Sequence, residues 1–264
     1  MIRAAIKLVS LSVGKETFLF IMCSMSKISD RLKQIEENIA CACARTGRDA
    51  GKVKLVVVTK TAPLASVKEV IELGYTELGE NRVQRLKQVA QEISEFLGEG
   101  NSKNAGPGKV NWHMIGHLQR NKVRGVLKVS SIIHSVDTLR LAEEINTMGG
   151  KLGIKPDILL QVNCSGEPQK YGIPVGAATH LAEQFVSMEN LRLTGLMTMA
   201  PLTRNKDVVR TCFVRAKELF EEIKGQGLVG AEFSQLSMGM SQDYEIAVEE
   251  GATILRIGSA IFAG

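Results

Sequence analysis

Apolar residues recur at Ile28, Leu32, Ile35, Ile39 and Ala42, at spacings of three and four, and predict a helix over 26–46. The next apolar run, Leu55–Thr59, is β-branched, unbroken and too short for a helix. That is the pattern of a strand covered on both faces, as in a parallel sheet under helices. Helical spacing returns at Ser66–Leu73 and stops at Gly74, a residue suited to the position after a helix. The same alternation runs down the chain. Further strands are predicted at Tyr75–Leu78, Trp112–Ile115, Ser131–His134, Asp157–Val162, Leu191–Met197, Glu232–Leu236 and Thr253–Ile257. Helices are predicted between them at Arg82–Phe96, Gln119–Leu127, Asp137–Asn146, Val175–Ser187, Asp207–Lys224 and Gln242–Glu249, with Asp137 as an N-cap. Residues 98–108, rich in Gly, Asn, Ser and Pro, read as a surface loop.

Eight strands separated by helices close most naturally as a (β/α)8 TIM barrel, an α/β fold in a single domain. The last helix is missing from the pattern, because seven residues follow Ile257, and the helix at 26–46 is an extra one at the front. A doubly wound open sheet is the structural alternative. Residues 1–24 are apolar but interrupted by Arg3, Lys7, Lys15 and Glu16, so they do not read as a membrane span. They are set aside as an N-terminal extension, either disordered, a targeting peptide or residues upstream of the true start at Met25, and the barrel is assigned to 25–264.

Composition narrows the function classes. The 264 residues are 44% apolar and 23% charged, ordinary for a folded protein. The net charge of +5 is spread along the chain, a mild bias toward anionic ligands rather than the basic stripe of a nucleic-acid binder. Five cysteines without a CxxC pair suggest neither a disulfide framework nor a metal site, which favours a cytoplasmic protein.

In a barrel, chemistry sits on the loops after the strand C-termini. Lys60 closes the first strand, where burial among apolar neighbours would lower its pKa and make it an amine nucleophile. After the seventh and eighth strands come Ser237-Met238-Gly239-Met240-Ser241 and Gly258-Ser259-Ala260. Small residues there let backbone N–H groups approach an anion, although tight turns favour the same residues. Arg256 lies in an otherwise apolar strand and needs a partner. His113 and His117 flank the third strand's end and read as hydrogen-bonded residues of the mouth, and Asn81 follows the second strand. Met197, Met199, Met238 and Met240 read as apolar wall, and Cys164 as inert. A lysine opposite a phosphate site suggests a phosphorylated aldehyde. Pyridoxal phosphate fits, with Arg256 at its pyridine nitrogen.

The segments VVVTKTAP (56–63), GYTELGENRVQ (74–84), WHMIGHLQRNK (112–122), IHSVDTLRLAEEI (133–145), LLQVNCSGEPQKYGI (159–173), LTGLMTMAP (193–201) and LSMGMSQDYEIAVEEGATILRIGSAIF (236–262) carry a resemblance. Over about residues 28–262 the chain resembles the pyridoxal phosphate homeostasis protein family, which shares its barrel with the N-terminal domain of alanine racemase. The resemblance implies that Lys60 holds pyridoxal 5′-phosphate as a Schiff base. It implies that Ser237, Gly239, Gly258 and Ser259 contact the phosphate, that Arg256 faces the pyridine nitrogen, and that Asn81 and Met199 line the pocket. Ser259 stands where many relatives carry Thr. The implied role is that of a cytoplasmic, monomeric carrier in vitamin B6 and amino-acid homeostasis. It would serve pyridoxal phosphate-dependent enzymes, with no nucleic acid, membrane or metal involved. A pyridoxal phosphate-dependent amino-acid racemase is the alternative. An alanine-type racemase needs a second acid/base group from a further domain. The barrel consumes roughly the whole chain, and of three tyrosines Tyr171 alone is placed to reach the mouth. Lys122 and Lys170 lie near other mouth loops, as secondary sites for the aldehyde.

Overall fold

Strands β1 (Lys54–Val58), β2 (Glu77–Glu80), β3 (Asn111–Met114), β4 (Ser130–Val136), β5 (Asp157–Asn163), β6 (Arg192–Met197), β7 (Gln235–Ser237) and β8 (Ile254–Ile257) pair in parallel, each with the next. The ring closes where β8 pairs with β1, Lys54 opposite Ile254 and Val56 opposite Arg256. A two-residue strand, Ile173–Pro174, pairs with the end of β5. This is the (β/α)8 barrel, in a computed structural model that describes residues 26–98, 110–167 and 169–263. The extension 1–24 and nearly all of the loop expected at 98–108 lie outside the described residues.

Period-two alternation sorts each strand's side chains between two environments. Val57, Leu78, Trp112, Ile133, Leu160, Leu196 and Leu255 face outward and join the buried faces of the surrounding helices in one core. The alternate positions face the lumen, where Ile132, Leu159 and Met197 form a separate apolar cluster with Met199 against it. Among the described residues, no helix is long and apolar enough to cross a membrane.

The outer ring comprises α2 (Leu64–Glu72), α3 (Val83–Gly98), α4 (Val123–Leu127), α5 (Leu139–Leu152), α6 (Val175–Val186), α7 (Lys206–Gly225), α8 (Tyr244–Glu249) and α9 (Ser259–Phe262), numbered after the N-terminal α1 (Lys27–Arg45). The helix expected to be missing after β8 is present as the single turn α9. Beside it lies α1, capped by the Ser26 hydroxyl, with Leu32, Ile35 and Ile39 buried and contacts to α2, α8 and α9. Each such aliphatic side chain contributes about 1.5–3 kcal/mol by leaving water. Asn38 Nδ2 donates to Tyr244 Oη at 2.8 Å, and Arg31 donates to the Ile261 carbonyl at 3.1 Å. So α1 completes the ring where α9 is short.

Three local expectations are corrected. The helix before β2 ends with Gly74 at φ +98° and the Tyr75 N–H bonded back to the Val70 carbonyl, so Tyr75 belongs to the turn and β2 starts at Glu77. Thr138, in extended backbone, caps α5 by accepting from the Leu141 N–H at 3.3 Å, while Asp137 turns toward His117 instead. Finally, β7 is confined to Gln235–Ser237, because Phe233 closes a turn onto the Gly230 carbonyl.

Candidate functional site

Lys60 sits one residue beyond the end of β1's pairing, on a turn closed by the Ala62 N–H to the Thr59 carbonyl at 2.9 Å. It is exposed, not buried as its strand-end position had suggested, because it stands on this turn beyond the strand. Among the described residues nothing hydrogen-bonds or pairs with its ammonium. The turn is fixed from outside the barrel. Thr59 Oγ1 donates to Glu80 Oε1 at 2.6 Å, and Arg85 on α3 donates to Glu80 Oε1 (3.2 Å) and to the carbonyls of Thr59 (3.1 Å) and Ala62 (2.6 Å). Burial pushes the Glu80 carboxyl up, against the opposing effect of Thr59 and Arg85. Sequence reasoning missed this clamp. Lys170 is differently placed, its ammonium donating to the Ala200 carbonyl at 2.8 Å and paired with Glu167 at 2.5 Å.

On the neighbouring strand Arg256 is buried in the lumen. NH1 donates to Ser237 Oγ at 2.5 Å and NH2 to the Thr198 carbonyl at 2.9 Å, and among the described residues no carboxylate lies within ion-pair distance. Burial pulls its pKa down to about 10, the field of Asp243 acting the other way. The support for this guanidinium is a chain across the lumen. Ser237 Oγ lies 2.9 Å from His134 Nδ1, His134 Nε2 lies 2.8 Å from His113 Nδ1, and His113 Nε2 lies 2.6 Å from Glu77 Oε2. Lys54 Nζ and Asn111 Nδ2 complete the Glu77 end at 3.4 and 2.8 Å. A guanidinium only donates and a carboxylate only accepts. Every link therefore runs one way: Arg256 to Ser237, Ser237 to His134, His134 to His113, His113 to Glu77, with both imidazoles neutral and protonated on Nε2.

The expectation for His113 is thereby corrected. It is a lumen residue, because Trp112 takes the outward position beside it. Glu77 and His134 were not singled out from the sequence at all. Their signal was the parity they share with His113 along short strands.

The chain fixes the acid response. Burial raises the Glu77 carboxyl, but hydrogen bonds from His113 and Asn111 and the nearby Lys54 ammonium outweigh burial and bring it to about 2. Burial lowers His113, and His134 well below the usual histidine value. The unfolded histidines take up protons that the fold refuses, so stability falls as pH drops below about 6.5. Glu77 adds a second loss below its unfolded value, about 2 to 3 kcal/mol in all, complete once pH passes through about 2. Urea unfolding at pH 7.5, 5.5 and 4 should show this decline, and a flat profile would refute the neutral-histidine chain.

The two small-residue loops meet at the same end. Gly239 has φ +92° and its carbonyl accepts from the Arg256 N–H at 3.0 Å. A Cβ there would lie 2.5 Å from that of Ala247, so both backbone and packing require glycine. A Cβ on Gly258 would lie 2.7 Å from the Val58 carbonyl oxygen, which brings this loop against the end of β1. Ser241 Oγ accepts from the N–H groups of Gly258 (3.4 Å) and Ala260 (3.2 Å), so two main-chain donors converge on one oxygen. Ser259 is exposed beside them. Asn81 is half-buried, its main chain in close approach to Gly116, and Met199 borders the lumen cluster. Across the mouth, His117 is exposed and stacks on Tyr171 with centroids 4.5 Å apart. Cys164 is buried and its thiol pushed up by that burial. The donor set of free amine, buried guanidinium and converging N–H groups fits a molecule with a carbonyl, a ring acceptor and a phosphate.

The family model described as "Alanine racemase, N-terminal domain" matches residues 31–264. A protein of Aquifex aeolicus named pyridoxal phosphate homeostasis protein is 36% identical over 88% of this chain and 96% of its own length. The structure of PipY from Synechococcus elongatus with pyridoxal phosphate bound has a TM-score of 0.72 at 31% identity, covering 87% of this chain and all of that one. An alanine racemase of Clostridium difficile, 15% identical with a TM-score of 0.67, shares the fold over 88% of this chain and 59% of its own.

Proposed function

The chain belongs to the pyridoxal phosphate homeostasis protein family, and from that premise we propose that it binds pyridoxal 5′-phosphate at the barrel mouth, as a Schiff base on Lys60. In this reading it is a cytoplasmic, monomeric carrier in vitamin B6 and amino-acid homeostasis, with pyridoxal phosphate-dependent enzymes as recipients. One observation carries it: an exposed lysine just past the end of β1 and a buried arginine on the paired strand β8, the lysine unpaired and the arginine without a carboxylate among the described residues. Arg256 is level with Val56, two residues before β1 ends, and Lys60 is two residues past that end, on the turn. Two long side chains and a pyridine ring bridge such a span.

When bound, the cofactor supplies an aldehyde that condenses reversibly with amines and a ring able to delocalise charge. The chain's residues set the rest. Lys60 offers the amine on its clamped turn. Arg256, held charged by the lumen chain, donates to the ring nitrogen and leaves it unprotonated, which favours holding the cofactor over driving carbanion chemistry. The N–H groups of Gly258 and Ala260 and the hydroxyls of Ser241 and Ser259 receive the phosphate on the loop that Gly239 makes possible. Ser237 contributes by fixing Arg256, since its hydroxyl is already committed on both sides. Asn81 and Met199 border the pocket.

The test is titration with pyridoxal phosphate and with pyridoxal. Charge-assisted bonds to the phosphate are worth about 1.5–3 kcal/mol each, so pyridoxal should bind at least 100-fold more weakly. Equal affinities would dismiss the phosphate cradle. The racemase reading draws on Tyr171, which is exposed at the mouth. Steady turnover of an amino-acid enantiomer with added cofactor would favour it over the carrier.

A further inference from the structure

An open cleft of about 800 Å3 lies across the mouth from Lys60, between the loops after β3, β4 and β5, and its walls include His117, Leu118, Arg120, Asp137, Arg140 and Tyr171. Asp137 is the unusual member. Its side chain is 7% exposed, Oδ2 lies 3.4 Å from His117 Nδ1, and Oδ1 is buried with no hydrogen-bond partner among the described residues. A buried carboxylate oxygen without a donor costs free energy that a cationic ligand group would recover.

The opposite charge is equally available. Among the described residues neither Arg120 nor Arg140 has a hydrogen-bond or ion-pair partner. Both line the cleft at the N-terminus of the fourteen-residue α5, where the helix dipole adds to their attraction for an anion. Arg120 and Arg140 can each grip a carboxylate in a bidentate manner. The same walls carry the His117–Tyr171 stack and the side chain of buried Leu118, besides the polar Gln119, Asn121 and Thr138.

We propose that this cleft binds a free α-amino acid with an apolar side chain, its ammonium on Asp137 and its carboxylate on Arg120 and Arg140. No residue of the site belongs to the cofactor reading, so the two stand separately. An amino acid held here lies on the same face as the Lys60 amine. The protein could thus sense amino acids at the mouth without transforming them.

The test uses the full-length chain, with any pyridoxal phosphate first fixed by borohydride so that its aldehyde cannot react. Binding of L-leucine, 3-methylbutylamine and 4-methylpentanoate is followed by calorimetry and by shifts of the His117 and Tyr171 ring resonances. Leucine should bind at least tenfold more tightly than either half-molecule and should shift both rings. Asp137→Asn, which keeps the shape, and Arg140→Gln should each weaken leucine at least tenfold. If 4-methylpentanoate binds as well as leucine, the cleft holds only an anion and the proposal fails. It fails also if leucine leaves both rings unmoved, or if both variants bind it normally. Failure of pyridoxal phosphate to bind would sink the cofactor reading alone.

Discussion

Lys60→Ala abolishes the borohydride-fixed adduct with pyridoxal phosphate and leaves the fold untouched. The expected loss is complete, because the reversible bond needs an amine at that point on the mouth. Lys170 is held by Glu167 and the Ala200 carbonyl. The expected change in stability is within about 0.5 kcal/mol, since an exposed side chain without partners among the described residues leaves neither cavity nor orphaned group. Mass spectrometry of the reduced protein with peptide mapping checks the first part, and urea unfolding the second. An adduct persisting on another peptide would transfer the assignment. A large loss of stability would mean that the lysine supports the turn as well as the cofactor.

The second large effect is on the fold, and reaches the site through it. Gly195→Ala should cost about 3 kcal/mol, at the upper end of overpacking penalties. A Cβ at this position would stand 1.7 Å from the Gln235 carbonyl oxygen, inside the pairing of β6 with β7. Backbone, not a flexible side chain, blocks it, so β7 must retreat. Ser237 is two residues along that strand and opposite Met197. Its displacement would loosen both the Arg256 and the His134 bonds. Cofactor affinity should therefore fall with stability. Gly176→Ala in the first turn of α6, where nothing lies within 4 Å, is the control and should be neutral or stabilising by about 0.5 kcal/mol. If both variants unfold at the same urea concentration as the parent, the close approach is not a constraint.

The sequence made the barrel legible because buried parallel strands leave unbroken apolar runs, and helices leave their three-four spacing. Leu55–Thr59 and Asp157–Val162 needed nothing more. Lys60 and the two small-residue loops were visible because strand ends in a barrel are where unusual residues stand out. The lumen chain was not. Its links join residues between 19 and 103 positions apart, so no local pattern could announce them. Only the facing of Glu77, His113 and His134 within strands of four to seven residues carried the information, and boundaries that short are easily misplaced. The need of Arg256 for a partner was legible, but not that Ser237 and the Thr198 carbonyl would meet it with a relay of neutral imidazoles behind them. Asp137 shows the reverse case. It looked like a helix cap, and Thr138 took that duty, leaving the carboxylate for another use.

The pairing of β1 with β8 joins stretches about 200 residues apart, the widest separation among the strand pairings of the described residues. Contacts of such sequence separation form late, since a long loop must close before they return any free energy. Lys60, Arg256 and Gly258 all stand on that join. A chain still leaving the ribosome would therefore have its other strands and helices before it had anything able to capture the cofactor. Capture then doubles as a report that synthesis and closure are finished. By binding only the closed ring, the ligand would slow its reopening.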